Sequence, residues 1–162
     1  MNASVKNEER IMSGVTWILV ADRSRAKLLH RLPDGQVPYP TLHCWSHGPG
    51  RVRVSDRKSD QPGRVAHPAG YYSALEPHED LDHVEARRFA AELTSYLEGC
   101  RLENRFDDLI VVAAPKFLGT LRESWSPVLG RMVVRELNAD VTGLSDANLQ
   151  SYLESREEIL TA

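Results

Sequence analysis

The sequence predicts a single α/β domain built on a mixed sheet that opens with an antiparallel meander and carries packed helices. Three observations predict it. Two short, almost wholly apolar runs, 16–21 (TWILVA) and 109–114 (LIVVAA), suit strands buried on both faces. Apolar residues recur at helical spacing on either side of the second run. A chain of 162 residues, 41% hydrophobic and 27% charged, suits one core and one globular domain, here 15–162.

Residues 1–14 are polar and mixed in charge, a frayed flexible terminus rather than a signal peptide. The first strand, 16–21, runs into the polar turn Asp22-Arg23-Ser24-Arg25. Residues 26–32 (AKLLHRL) then offer a second strand and complete a hairpin. Pro33-Asp34-Gly35 is a turn signal. In 41–45 Leu42 and Cys44 alternate with His43 and Trp45, giving a third strand in which Cys44 reads as a small core residue. Residues 46–80 form a long basic loop rich in glycine and proline, with a short alternating strand at 51–54. A loop of that length is functional or mobile.

Farther along, Asp82 with Glu85 three residues on makes a capping-box-like pair. Ala86, Phe89, Ala90, Leu93 and Leu97 form the stripe of the helix that follows, and Gly99 suits its stop. The strand at 109–114 is the central one, closed by Pro115. Phe117, Leu118, Leu121 and Trp125 recur at helical spacing. Ser126-Pro127 starts a further helix that buries Leu129, Met132, Val133 and Leu137. Residues 140–142 read as a short strand. Ser145 caps a last helix, with Leu144 and Leu149 as a hydrophobic staple. Trp17, Trp45 and Trp125 read as core or subunit-contact residues.

Composition excludes several functions. A net charge of −3 argues against a general nucleic-acid coat. The charge is uneven, however: five cations against two acids give 51–64 a net +3, leaving −6 on the rest. No apolar run nears the ~20 residues of a membrane span. Cys44 and Cys100 lack metal-ligand spacing and read as reduced thiols in the cytoplasm. Phosphate-loop and G-x-S-x-G signatures are absent, so neither a cofactor nor a catalytic residue is expected.

Two sets of residues are candidate binding groups. Arg51, Arg53, Arg57, Lys58 and Arg64 suit phosphates, with Gly50 and Gly63 permitting close backbone approach. Arg23, Arg25, Lys116 and Arg122 suit an anion beyond the strand ends, provided that the first strand runs beside and parallel to 109–114. The alternative for Arg122 is a surface pair with Glu123 or a C-terminal acid. Asp22 stands where a metal-dependent nuclease would place a carboxylate, but such enzymes need several converging carboxylates. Asp107 and Asp108 precede their strand and belong at the other end of the sheet, so Asp22 is expected to close its own turn. His67, His78 and His83, beside Glu79, Asp80 and Asp82, share no helix face, and no metal site is expected.

Taken together, several stretches carry a family resemblance. Ala21-Asp22-Arg23-Ser24-Arg25-Ala26, the loop Asp60-Gln61-Pro62-Gly63-Arg64, and 109–122 (LIVVAAPKFLGTLR) with its Leu118-Gly119 and Leu121-Arg122 are three of them. A fourth is 136–142 followed by Leu149 and Leu153. From about residue 15 to 154 the chain resembles the bacterial host-attachment protein family. The resemblance implies an RNase H-like sheet, like the middle domain of archaeal and eukaryotic peptide release factors. It does not extend to peptidyl-tRNA hydrolysis, because the Gly-Gly-Gln of that domain is missing and the nearest text is Gln61-Pro62-Gly63. Ala139 also replaces the lysine that the family pattern places before the aspartate.

The expectation is a non-enzymatic module facing RNA or the ribosome in translation, using the basic loop. An interaction or regulatory protein of attachment, with a protein partner, is the alternative. A hydrolase of esters or phosphodiesters is a distant third. Oligomeric state stays open.

Overall fold

Along the chain come β1 (Thr16–Ala21), β2 (Arg25–Arg31), β3 (Thr41–Ser46), α1 (Glu79–Leu102), β4 (Asp108–Ala113), α2 (Pro115–Ser124), α3 (Pro127–Met132), β5 (Val133–Asn138), α4 (Asp146–Glu154) and α5 (Glu157–Thr161). These elements belong to a computed structural model that describes residues 14–33, 35–47 and 79–161. All six residues of β1 and all six of β4 are buried, as their apolar runs demand. The sheet order is β3-β2-β1-β4-β5. β1 pairs antiparallel with β2 and parallel with β4, β2 pairs antiparallel with β3, and β4 pairs parallel with β5. β2 alone therefore runs against the other four strands. The meander is as the sequence predicts; the strand expected at the centre, β4, is an interior strand beside β1, which holds the middle.

Alternation along the strands divides the core into two layers. Trp17, Leu19, Leu109 and Val111 face Phe89, Leu93 and Leu97 of α1 and Leu118 and Leu121 of α2. Ile18, Val20, Ile110 and Val112 face Val141, Leu149, Leu153 and Leu160. Each of these buried leucines contributes roughly 2 kcal/mol through its removal from water.

The second layer ends in polar side chains. Arg31, Thr16 and Asp108 stand in register across β2, β1 and β4, and all three are buried. The Arg31 guanidinium pairs with Glu157, and the Tyr39 hydroxyl donates to the same carboxylate at 2.5 Å. Gln150 and the backbone of Tyr39 exchange hydrogen bonds of 2.8 and 3.0 Å. The start of α5 and the middle of α4 are thus fastened to the meander. Burial pushes the Tyr39 phenol pKa up, and the Glu157 carboxylate beside it adds to the shift.

Several expectations need correction. α1 begins at Glu79, so Asp82 lies inside the first turn instead of capping it. The helix also runs past Gly99 to Leu102. Its terminator is Asn104, in the left-handed region at φ 53°, with Asn104 N–H donating to the Arg101 carbonyl and Arg105 N–H to that of Cys100. This is a Schellman closure with asparagine in the place of glycine. The helix expected through Leu137 stops at Met132 because the β-branched pair Val133-Val134 enters β5 beside β4. Residues 140–142 are consequently a turn, with Val141 closing on the second layer. Cys44 is exposed, since β3 is an edge strand that little covers, whereas Cys100 is buried. Ser145 does cap α4, accepting from Asn148 N–H, but Leu144 stays 38% exposed and staples little. The 51–54 strand and most of the 46–80 loop lie outside the described residues.

α3 shows how much a single cap carries. Ser126 Oγ accepts from Leu129 N–H at 3.1 Å and donates to Glu98 of α1. Ser126→Ala removes both bonds and should cost about 1–2 kcal/mol, the upper range for a lost cap. Urea unfolding checks this, and an unchanged midpoint would contradict it.

Candidate functional site

The three parallel strands β1, β4 and β5 end on the same side of the sheet, and residues that follow each of them line one groove of about 1300 Å³. Asp22, Arg23, Ser24 and Arg25 line it from the turn after β1. Ala114, Pro115, Lys116, Phe117 and Thr120 come from the start of α2, Asp140 from the turn after β5, and Asp82, His83 and Ala86 from α1. Parallel pairing of β1 with β4 brings Arg23 and Arg25 to the side of Lys116, the arrangement that an anion site at these cations requires. Arg122 is not among them. It stands on the last turn of α2, and its Nε donates to Glu136 of β5 at 3.0 and 3.1 Å.

Asp22 organises the groove floor. Its Oδ1 accepts from the Ser24 and Arg25 amides, each at 2.7 Å, and from Ser24 Oγ at 2.9 Å. Its Oδ2 accepts from Thr142 Oγ1 and faces the Arg25 guanidinium at 3.5 Å. One carboxylate thereby ties the β1–β2 turn to the turn after β5. Burial raises its pKa, yet the hydrogen bonds from Thr142, Ser24 and Arg25 outweigh that and hold it below the ordinary carboxylate value. The turn-closing reading of Asp22 agrees with this geometry. Asp107 sits at the opposite end of the sheet, where its Oδ2 accepts from Val15 N–H at 2.8 Å.

Among the described residues three cations, Arg23, Arg25 and Lys116, meet three carboxylates, Asp22, Asp82 and Asp140, and their charges balance. Arg23 pairs with Asp82 at 3.3 Å, and Arg25 with Asp22. Lys116 is exposed and forms no ion pair among the described residues. It follows Ala114, an N-cap position with no side-chain hydrogen bond, and Pro115. The first-turn amides of Lys116 and Phe117 lack intrahelical partners there, and a helix N-terminus of this kind favours anions. Among the described residues no group of three or more His, Cys, Asp or Glu side chains converges as a metal site would require. His67, His78 and the cations at 51, 53, 57, 58 and 64, with Gly63, lie outside the described residues.

Beside the groove, His47 Nε2 lies 3.0 Å from Glu85 Oε2, and the ring stacks on Phe89. Glu85, expected in a capping box, is used in this contact instead. Sequence reasoning missed Asp140 and His83 as groove residues, and Thr142 as the donor that holds Asp22. An aspartate just past a strand is a usable signal, but it is hidden while β5 reads as helix.

The fold and the groove define a class: a single α/β domain with a mixed-charge groove beyond the ends of its parallel strands. The chain belongs to the family described as proteins required for attachment to host cells, whose model matches residues 17–153. It is also 31% identical over 71 residues to an uncharacterized protein of Rickettsia prowazekii (strain Madrid E). That stretch covers 43% of this chain and 47% of the relative, so the similarity spans about half the length of each. Among the described residues no helix is long and apolar enough to cross a membrane.

Proposed function

We propose that this protein is a non-enzymatic binding module acting in the cytoplasm, with RNA as its ligand, ribosomal RNA included. One observation carries the reading: Arg23, Arg25 and Lys116 share a groove with the uncapped N-terminus of α2. Phosphate oxygens are the groups that such amides and cations hold best. The basic segment supports it by composition, with Arg51, Arg53, Arg57, Lys58 and Arg64 as phosphate contacts and Gly63 allowing close approach. A mixed sheet with a buried parallel centre and helices on both faces is compatible with the RNase H-like, release-factor-like relation that this reading includes.

Co-sedimentation with ribosomes and anisotropy of a labelled RNA, each at two salt concentrations, test it. Changing the five cations of 51–64 to glutamine should weaken binding to all sequences. On a single strand the salt slope should fall by roughly 0.7 for each phosphate that is no longer neutralised. Lys116→Gln should weaken binding severalfold. RNA affinity undiminished in both variants would sink the proposal. The attachment reading, with a protein partner, would then lead. It draws on β3, whose TLHCWS sequence has no Lys, Arg, Asp or Glu on the sheet edge and leaves Leu42 38% exposed.

A further inference from the structure

Two charged side chains of the groove lack an opposite charge among the described residues: Lys116 just past β4, and Asp140 just past β5. The other groove charges are matched, Asp22 with Arg25 and Asp82 with Arg23. Among the described residues Asp140 has one polar contact, Thr142 Oγ1 at 3.4 Å, and that hydroxyl also reaches Asp22 Oδ2, where its proton goes. Asp140 therefore keeps most of its acceptor capacity, as Lys116 keeps its donors. β4 and β5 are adjacent parallel strands paired through Ala113 and Asn138, so the two groups lie past neighbouring strand ends and line one groove, and no ion pair joins them.

A ligand bridging them must offer an acceptor to Lys116 and a donor to Asp140. A bare phosphate satisfies only the first and sets an anion against the carboxylate. A deoxynucleotide chain does the same, because its sugar has no 2′-hydroxyl to give. We infer that Lys116 and Asp140 together read one ribonucleotide unit, Lys116 holding its phosphate and Asp140 accepting a hydrogen bond from its ribose 2′-hydroxyl. This rests on the RNA reading above and adds discrimination between RNA and DNA.

The test is fluorescence anisotropy of a labelled oligouridylate and the oligodeoxyuridylate of equal length, at matched salt, with the full chain. The native protein should prefer the RNA by about tenfold, the yield of one hydrogen bond to a charged acceptor. Asp140→Asn should cut that preference to about threefold or less. Lys116→Gln should weaken both probes alike and keep the preference. Both positions are exposed, so thermal melts of the variants should overlay that of the native protein. Equal binding of the two probes by the native protein, or a preference that survives Asp140→Asn, overturns the inference and leaves the RNA reading standing. Failure to bind either probe overturns both.

Discussion

Glu157→Ala lowers the unfolding free energy by about 3–5 kcal/mol, the usual cost of stripping a buried charge of its partner. The Arg31 side chain is only 3% exposed, and its guanidinium pairs with Glu157. Without the carboxylate that cation stays in the second core layer unmatched, and Tyr39 loses the acceptor of its hydroxyl as well. The cause is desolvation, so removing the cation too should repair much of the damage. Arg31→Met combined with Glu157→Gln keeps an acceptor for Tyr39 and eliminates the buried charge. That double variant should recover at least half of the lost stability in urea unfolding. A double variant as unstable as Glu157→Ala would mean that the latch acts by shape rather than by charge.

Asp22→Ala should cost about 3 kcal/mol, since four donors lose a charged acceptor at once. The cost should also depend on pH with a definite sign. Burial pulls the Asp22 pKa up, but the hydrogen bonds from Thr142, Ser24 and Arg25 pull it down further, below the 3.8 of the unfolded chain. A carboxylate lowered on folding gives its full stabilisation above the unfolded pKa and loses it as pH falls through the folded one. The gap between the native protein and Asp22→Ala should therefore be constant near neutrality and shrink below about pH 3.8. Taking the difference between the two proteins removes the titration of the other acids. A gap that widened on acidification would overturn the assignment of Asp22 as the ionised keystone of the groove.

The parts of this molecule that are readable in advance share one physical basis. β1 and β4 are recognisable because a strand covered on both faces admits almost nothing but apolar residues. Phe89, Leu93 and Leu97 are recognisable because a helix packed on a sheet must repeat its apolar residues every three or four positions. The caps at Ser126 and Ser145 need only local chemistry, an oxygen facing an amide three residues on. Asp22 closing its own turn is of the same kind.

β5 is unreadable because an edge strand only half-buried along its length carries a pattern, VVRELN, that suits a helix equally well. Only pairing with β4 selects the strand. Reading it as helix moves Asp140 out of view, and with it the groove. Glu157 is equally silent, since an acid near the chain end looks like solvent-facing charge until α5 folds back over Arg31 and Tyr39. Taken alone, the residues of this chain establish the apolar runs, the helix stripe, the caps and the family, because each depends on neighbours close in sequence or on a repeating pattern. That Asp22, Lys116 and Asp140 share one groove is a property of the folded chain only. Parallel strands joined by helices bring their ends together over long stretches of chain, and no local preference records which ends will meet.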